Sequence, residues 1–348
     1  MPSHGALEGL RVLEWGATTA LAYAGKLLSD LGADVVKMEG PSGDPARRQA
    51  PFFGAAPDEP LSSRFVYLNT GKRSVPAGAS GADQLAALCA ETDVLITDET
   101  TRADIPPALP SRLVWCSVSP FGLVGPYAGY SGTHLTIFHS GGEGHLLPSG
   151  LGWELFPDRP PLVVGSEMGD YDTGASAAAA ILAACMRQRR SGAGERIDVS
   201  AQEAQLTLNR TRLSRFSYDG VELRRGPSQY GIGGMIRCRN GYIQLVGMRP
   251  EHWDRLTSGP DGEPLRPPVD GSGRDAGEEE ARRGDALRAW CAARDKDEVT
   301  RLLADAGCPV GAYAAPADLM ASAQLAHRDF FQQIEQPGLG AVTLPGVP

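Results

Sequence analysis

No G-x-G-x-x-G follows the first apolar strand of this sequence, no two cysteines stand as C-x-x-C, and no apolar run is long enough to cross a bilayer. Each absence closes a reading. Without the glycine fingerprint, a nicotinamide dehydrogenase has only a fold class to recommend it. The cysteines Cys89, Cys116, Cys185, Cys238, Cys291 and Cys308 are far apart, which points to reduced, mostly buried thiols in a cytoplasmic protein and away from a metal cage. The longest apolar stretch, Ala175 to Cys185, is short and alanine-rich. The amino terminus Met1-Pro-Ser-His-Gly-Ala has no basic region ahead of an apolar core, so no secretory signal is expected. Basic charge is scarce too. Lys and Arg number 33 against 42 Asp and Glu, a formal net charge of −9, which argues against nucleic acid or anionic membrane as a partner. A phosphate-bearing ligand must then be held by local cations or helix N-termini.

What is present is ordinary for a globular protein: 42% hydrophobic and 22% charged residues in a chain of 348, long enough for two domains or one large α/β domain with an appendage. The first third alternates strand and helix. Leu10-Arg-Val-Leu-Glu14 is an apolar strand. Thr18 or Thr19 caps a helix carrying Leu21, Leu27, Leu28 and Leu31 at helical spacing, and Gly32 suits its stop. Ala33 to Glu39 follows as a second strand, completing a βαβ unit with a parallel sheet. Asp93–Thr97 and Leu113–Val118 read as further central strands.

The middle is helical. Thr173 to Arg187 is an alanine-rich helix with a basic tail, whose arginines suit a helix C-terminus. Arg196–Val199 is a strand, and Ser200-Ala-Gln-Glu203 forms a capping box for a helix running toward Phe216. Beyond Gly226, Met235–Cys238 and Tyr242–Leu245 flank Arg239-Asn240-Gly241, a tight hairpin signal. Thr257 to Gly284, rich in Gly, Pro, Asp, Glu and Arg, reads as a surface loop. A helix capped near Asp295 presents Val299, Leu302, Leu303 and Ala306 on one face, and Val310–Tyr313 returns as a strand, giving a smaller α+β domain.

The order of short phrases carries a resemblance. Leu7-Glu-Gly-Leu-Arg-Val-Leu-Glu14, Leu28 to Glu39, Leu68-Asn-Thr-Gly-Lys-Arg-Ser74, Phe121-Gly122 with Gly125-Pro126-Tyr127, and Gly165…Asp170…Thr173-Gly174 come first. Asp198-Val-Ser200, Asn240-Gly-Tyr242, Ala306-Gly-Cys-Pro-Val-Gly311 and Pro337-Gly-Leu-Gly340 follow. Together they resemble the class III CoA-transferases, relatives of formyl-CoA transferase, carnitine CoA-transferase and α-methylacyl-CoA racemase. The resemblance implies an α/β fold with a Rossmann-like parallel-sheet large domain, a smaller α+β domain and an interlocked dimer. It divides the chain into a large domain over 1–216, a linker with a glycine-rich loop over 217–234, a small domain over 235–325 and a return segment over 326–348, short for the family. Coenzyme A is expected along the turn Thr18-Thr19-Ala20, with Lys37, Lys72 and Arg73 as cationic contacts. Helix capping by the threonines and solvated charge for Lys72 and Arg73 are the plainer readings. Glycines from Gly226 to Gly234 suit either a lid or a linker.

The resemblance also sets expectations that this sequence departs from. Family members carry an arginine after the glutamate of the second strand; here Gly40 follows Glu39, leaving Arg47 or Arg48 as substitutes. Where the resemblance expects a nucleophilic aspartate two residues after a glycine, this chain places His134 after Gly132. An imidazole suits proton transfer rather than a carboxylate–anhydride cycle. A register slip would bring in Glu143 instead. Asp170 matches the acid–base aspartate of the racemases. Three readings follow: a transferase acting on acyl-CoA or carboxylic acids with His134 in the aspartate's place, an aspartate-less subunit paired with a catalytic homologue, or a His134/Asp170 epimerase. N-capping for Asp170 and a hydrogen-bonded, partly buried histidine for His134 are the bland alternatives. The spacing of His134, His139 and His145 does not suggest zinc.

Overall fold

Val12 and Leu13 are neighbours in sequence yet belong to opposite cores, because successive side chains of a strand point to opposite faces of its sheet. That alternation organises the first of two structural units, Met1–Gly144, Val163–Glu222 and Gln324–Pro348. The computed structural model describes residues 5–53, 61–78, 81–207, 210–227, 232–266 and 276–347.

In chain order the first unit runs β1 (Arg11–Trp15), α1 (Thr19–Asp30), β2 (Asp34–Glu39), α2 (Ser63–Asn69), β3 (Arg73–Pro76), α3 (Gly81–Ala90), β4 (Val94–Asp98), β5 (Val114–Ser119), α4 (His134–Ser140), α5 (Met168–Ser191), β6 (Arg196–Ser200) and α6 (Ala201–Leu206). Its six strands pair in the order β3-β2-β1-β4-β5-β6, every pair parallel. This is the strand order of doubly wound nucleotide-binding sheets, in which ligands sit outside the carboxyl ends where the order reverses, here between β1 and β4. One face packs Val12, Val35, Ile96 and Val118 against Leu21 and Leu28 of α1 and Ile181 of α5. The other packs Leu13, Met38 and Leu95 against Leu85 and Cys89 of α3.

The expected βαβ unit is present with its caps. Thr18 accepts from Leu21 N, and Gly32, at φ +100°, ends α1. α5 is longer than expected. It begins at Met168, five residues before Thr173; its N-cap, Glu167, is not a usual capping residue and makes no side-chain cap, and Gly169 lowers helix propensity, so the sequence does not mark the start. The helix predicted from Ser200 toward Phe216 is described as two pieces, α6 and Arg210–Asp219, with 208 and 209 outside the described residues.

The second unit comprises His145–Leu162 and Leu223–Ala323. The first of these segments is not separated from the large domain in the sequence reading, although Pro148-Ser149-Gly150 and Pro160-Pro161 flank it. A three-stranded sheet, β7 (Gly234–Cys238), β8 (Gly241–Leu245) and β9 (Val310–Ala312), is antiparallel, with Cys238 opposite Gly241 across the expected hairpin turn. Helices α7 (Pro250–Ser258), α8 (Ala276–Ala292) and α9 (Lys296–Asp305) bury Trp253, Leu287, Trp290, Val299 and Leu303 with Ile243 and Leu245. Asp295 stands at the N-cap of α9, but its carboxylate pairs with Arg239, and Asn240 Oδ1 accepts from Lys296 N at 2.8 Å instead. The loop expected over Thr257–Gly284 is corrected at both ends. α7 runs to Ser258, and α8 covers Ala276–Gly284, where Glu279 accepts from Arg282 and Arg283 across one helical turn. Residues 267–275 lie outside the described residues, as do 228–231 of the glycine-rich stretch.

Candidate active site

β1 ends at Trp15, and the chain turns through Gly16, Ala17 and Thr18 into α1. Asp98, the last residue of the adjacent β4, fixes that turn: its Oδ2 accepts from Ala17 N and Thr18 N, both at 2.8 Å. Gly16 is required by contact, since a Cβ there would lie 2.5 Å from the same oxygen. A pocket of about 240 Å³ opens over this point, the position the strand order predicts for a ligand.

Several residues singled out from sequence meet in it. Thr18, Thr19, Ala20, His134 and Asp170 all line the pocket. The capping role of Thr18 is present alongside, and the Thr19 hydroxyl donates to Glu167 Oε2 at 2.7 Å. His134 opens α4, and its Nε2 accepts from Gly169 N at 3.2 Å, which satisfies one of the free N–H groups at the start of α5. With Nε2 an acceptor, the ring proton sits on Nδ1. Burial, aided by His139, lowers the His134 pKa and keeps the imidazole neutral. Asp170 lies in the first turn of α5, not at its N-cap; that position is Glu167. Burial raises the Asp170 carboxyl to about 6, with Arg64 opposing. Glu143, the alternative register, is not among the residues lining the pocket.

The pocket also holds side chains the sequence did not point to. Glu99 follows β4 directly, and burial, reinforced by the charges of Asp98 and Asp170, pushes it up to about 7. Its position after a central parallel strand was the signal that could have found it. Arg64, on α2, donates to Glu167 Oε1 at 2.8 Å and also contacts Glu167 Oε2 and Thr19 Oγ1. Ser119, the last residue of β5, has a buried hydroxyl with no hydrogen-bond partner among the described residues.

Three expected CoA contacts lie elsewhere. Lys37 is buried at 1% exposure, 2.7 Å from Glu14 Oε1 and 2.8 Å from Asp44 Oδ2. Lys72 Nζ sits 2.7 Å from Glu14 Oε2, 2.7 Å from Ala22 O and 3.1 Å from Asn69 Oδ1. Neither ammonium lines the pocket. Arg73 begins β3 and pairs with Asp34, the first residue of β2, so it sits at the amino ends of the strands, opposite the pocket. Of the two substitutes for the arginine absent at Gly40, Arg47 grips Glu39 through both side-chain oxygens at 2.8 and 2.6 Å, and Arg48 donates to Ser42 O at 2.7 Å. Among the described residues all six cysteines are free and buried, and no cluster of His, Cys, Asp and Glu could hold a metal ion. None of the described helices is long and apolar enough to cross a membrane.

Comparison with known proteins adds a family and relatives. The profile of CoA-transferase family III matches residues 7–348. The chain is 30% identical over 356 residues to the succinyl-CoA:(R)-benzylsuccinate CoA-transferase subunit BbsE of Thauera aromatica, covering 94% of this chain and 83% of that one. It is 35% identical over 237 residues to the formyl-CoA:oxalate CoA-transferase of Streptomyces avermitilis, covering 64% of this chain and 53% of that one. Among solved structures, a CAIB/BAIF family protein from Brucella suis matches with a TM-score of 0.81 and 25% identity, over 99% of this chain and 92% of its own.

Proposed function

The chain belongs to CoA-transferase family III, and from that premise we propose that it moves coenzyme A between carboxylic acids, with Asp170 as the carboxylate that carries the acyl group. The observation that carries this reading is the Asp170 side chain itself, a carboxyl lining the switch-point pocket beside the α1 turn. A carboxyl near 6 is largely ionised at pH 7, so its oxygen can attack a thioester carbonyl. The anhydride forms as the CoA thiolate leaves. The thiolate returns to the Asp170 carbonyl carbon and expels the donor acid as its carboxylate. The resulting aspartyl-CoA thioester is then opened in the same two steps by an acceptor carboxylate. CoA itself would lie along Thr18-Thr19-Ala20, where the start of α1 offers backbone N–H groups.

His134 takes a different part from the one its position suggested. Its Nε2 lone pair is engaged by Gly169 N, so it orients the first turn of α5 rather than attacking the substrate. The same engagement counts against a His134/Asp170 epimerase. Assembly with a second chain is supported by apolar side chains left in solvent: Leu213, Phe216 and Tyr218 on the helix Arg210–Asp219, Tyr218 at 92% exposure. A second reading, a heteromeric enzyme, is favoured by one fact, that the Thauera relative is named as a subunit.

The test is transfer of labelled CoA from an acyl-CoA to a panel of acids by the purified chain. Asp170→Asn is expected to lower turnover by about 10³-fold or more without unfolding the protein. A CoA adduct on the Asp170 peptide, seen by mass spectrometry and lost in the variant, would support the assignment. Full transfer by Asp170→Asn would end it. Transfer that appears only when a homologous second chain is added would select the heteromer.

A further inference from the structure

We propose that Arg64 receives the carboxylate of the acceptor acid, and that Glu167 fills this position as an internal stand-in until the acid arrives. The inference deepens the transferase reading and rests on it. Its starting point is the charge of the pocket. The ionisable side chains lining it include Glu99, Glu167 and Asp170, and Arg64 is the single lysine or arginine among the described lining residues. A carboxylate entering such a space finds its one lysine or arginine among the described lining residues at that guanidinium.

The guanidinium already holds a carboxylate in the geometry an acid ligand would adopt. Both Glu167 oxygens face Arg64 side by side, the planar fork that arginine uses to recognise carboxylates. The comparable pair Arg47–Glu39 shows what a permanent fork looks like here. Glu39 also accepts from Ser74 Oγ and from Asp44 N, and its side chain is only 5% exposed. Glu167 takes its remaining hydrogen bond from Thr19 and is 35% exposed, so it can leave the fork into water. Asp170 stands three residues further along α5, near enough to Arg64 for the guanidinium to oppose its protonation. An acid seated on Arg64 is therefore presented beside the reacting carboxyl.

The experiment uses the full chain with succinate and butyrate as probes, read by calorimetric binding and by steady-state transfer from an acyl-CoA. Arg64→Gln is expected to weaken acid binding and raise the KM for the acid about tenfold or more, with the KM for the CoA ester within about twofold. Arg64→Lys should fall between, because an ammonium keeps the charge and loses the fork. Glu167→Gln should lower the acid KM by about three- to tenfold, since the competing carboxylate is gone. A structural role alone would move the melting temperature and both KM values together. The proposal is overturned if Arg64→Gln binds either acid as well as the parent, if Glu167→Gln leaves the acid KM unchanged or raised, or if the unaltered protein binds neither probe. Acid binding with this pattern but no CoA transfer would strike the transferase reading and leave the Arg64 assignment standing.

Discussion

Two groups of charges lie in the first unit, and they are built on opposite principles. Beneath α1, Glu14 and Asp44 face Lys37 and Lys72, and every one of these side chains is nearly inaccessible. Burial alone would lower Lys37, yet Glu14 and Asp44 hold it above its ordinary range; burial would raise Glu14, yet the two lysines bring it below. Above the turn, Glu99, Glu167 and Asp170 line a pocket that Asp44 borders from below, with Arg64 as its one lysine or arginine among the described lining residues, and the carboxyls of Glu99 and Asp170 are raised instead. A set of charges that neutralises itself fixes a fold, and a set left short of cations invites a ligand or a reaction. The comparison explains why cations chosen from sequence as ligand contacts do not line the pocket: the lysines of β2 and of the turn before β3 answer Glu14.

The largest effect should come from unbalancing the lower group. Lys37→Met leaves Glu14 and Asp44 buried with one partner fewer, and an uncompensated buried charge costs about 3–5 kcal/mol. Urea denaturation should show that loss. A variant as stable as the parent would mean the network contributes nothing to the fold.

Next comes the space the network needs. Gly25 of α1 faces Glu14, and a Cβ there would lie 2.1 Å from Glu14 Oε2. Gly25→Ala therefore forces either the helix or the carboxylate to move, although alanine favours helix elsewhere. A destabilisation of about 1–3 kcal/mol is expected from the overpacking, and a gain in melting temperature would contradict the close approach.

A smaller effect of opposite sign belongs to the upper group. Asp170 titrates near 6 in the folded chain and from an ordinary 3.8 when unfolded. Between those values the folded state holds the extra proton, so stability is fully present below 3.8 and declines as pH rises through 6. Asp170→Asn should remove that decline. With allowance for solvent reaching the pocket, the variant gains on the order of 1 kcal/mol over the parent at pH 7, shrinking toward pH 4. Melting curves at the two pH values would measure it, and a variant less stable at pH 7 than at pH 4 relative to the parent would reverse the sign. The same substitution is expected to remove transfer, which would separate stability from activity at one residue.

How far the sequence alone reached follows the same divide. β1, α1 and β2 were legible because Val12, Leu21 and Val35 repeat at the periods of strand and helix, and Thr18 and Gly32 carry the local chemistry of caps. The resemblance singled out Asp170, as a proton-transfer residue with His134 in the nucleophile's place, and the Thr18–Ala20 turn, and these residues line one pocket. Arg64, Glu99 and Glu167 were not legible, because α2, the end of β4 and the start of α5 meet only after the sheet is wound, and no spacing records that meeting. α8 was hidden by composition: Glu279, Arg282 and Arg283 look like loop residues until they are placed one turn apart.

The smallest effect is at Arg73, which tests the comparison from outside both groups. Its guanidinium pairs with Asp34 at the amino ends of β2 and β3, with side chains 66% and 48% exposed. Water screens such a pair, and its loss should cost well under about 1 kcal/mol. Because the pocket lies at the other end of the strands, Arg73→Ala should also leave the thermal shift produced by CoA unchanged. A clear loss of that shift, with stability intact, would mean that the adenosine end of CoA reaches around the sheet to Arg73, and the cations holding it would then have to be sought at the amino ends as well as at the turn.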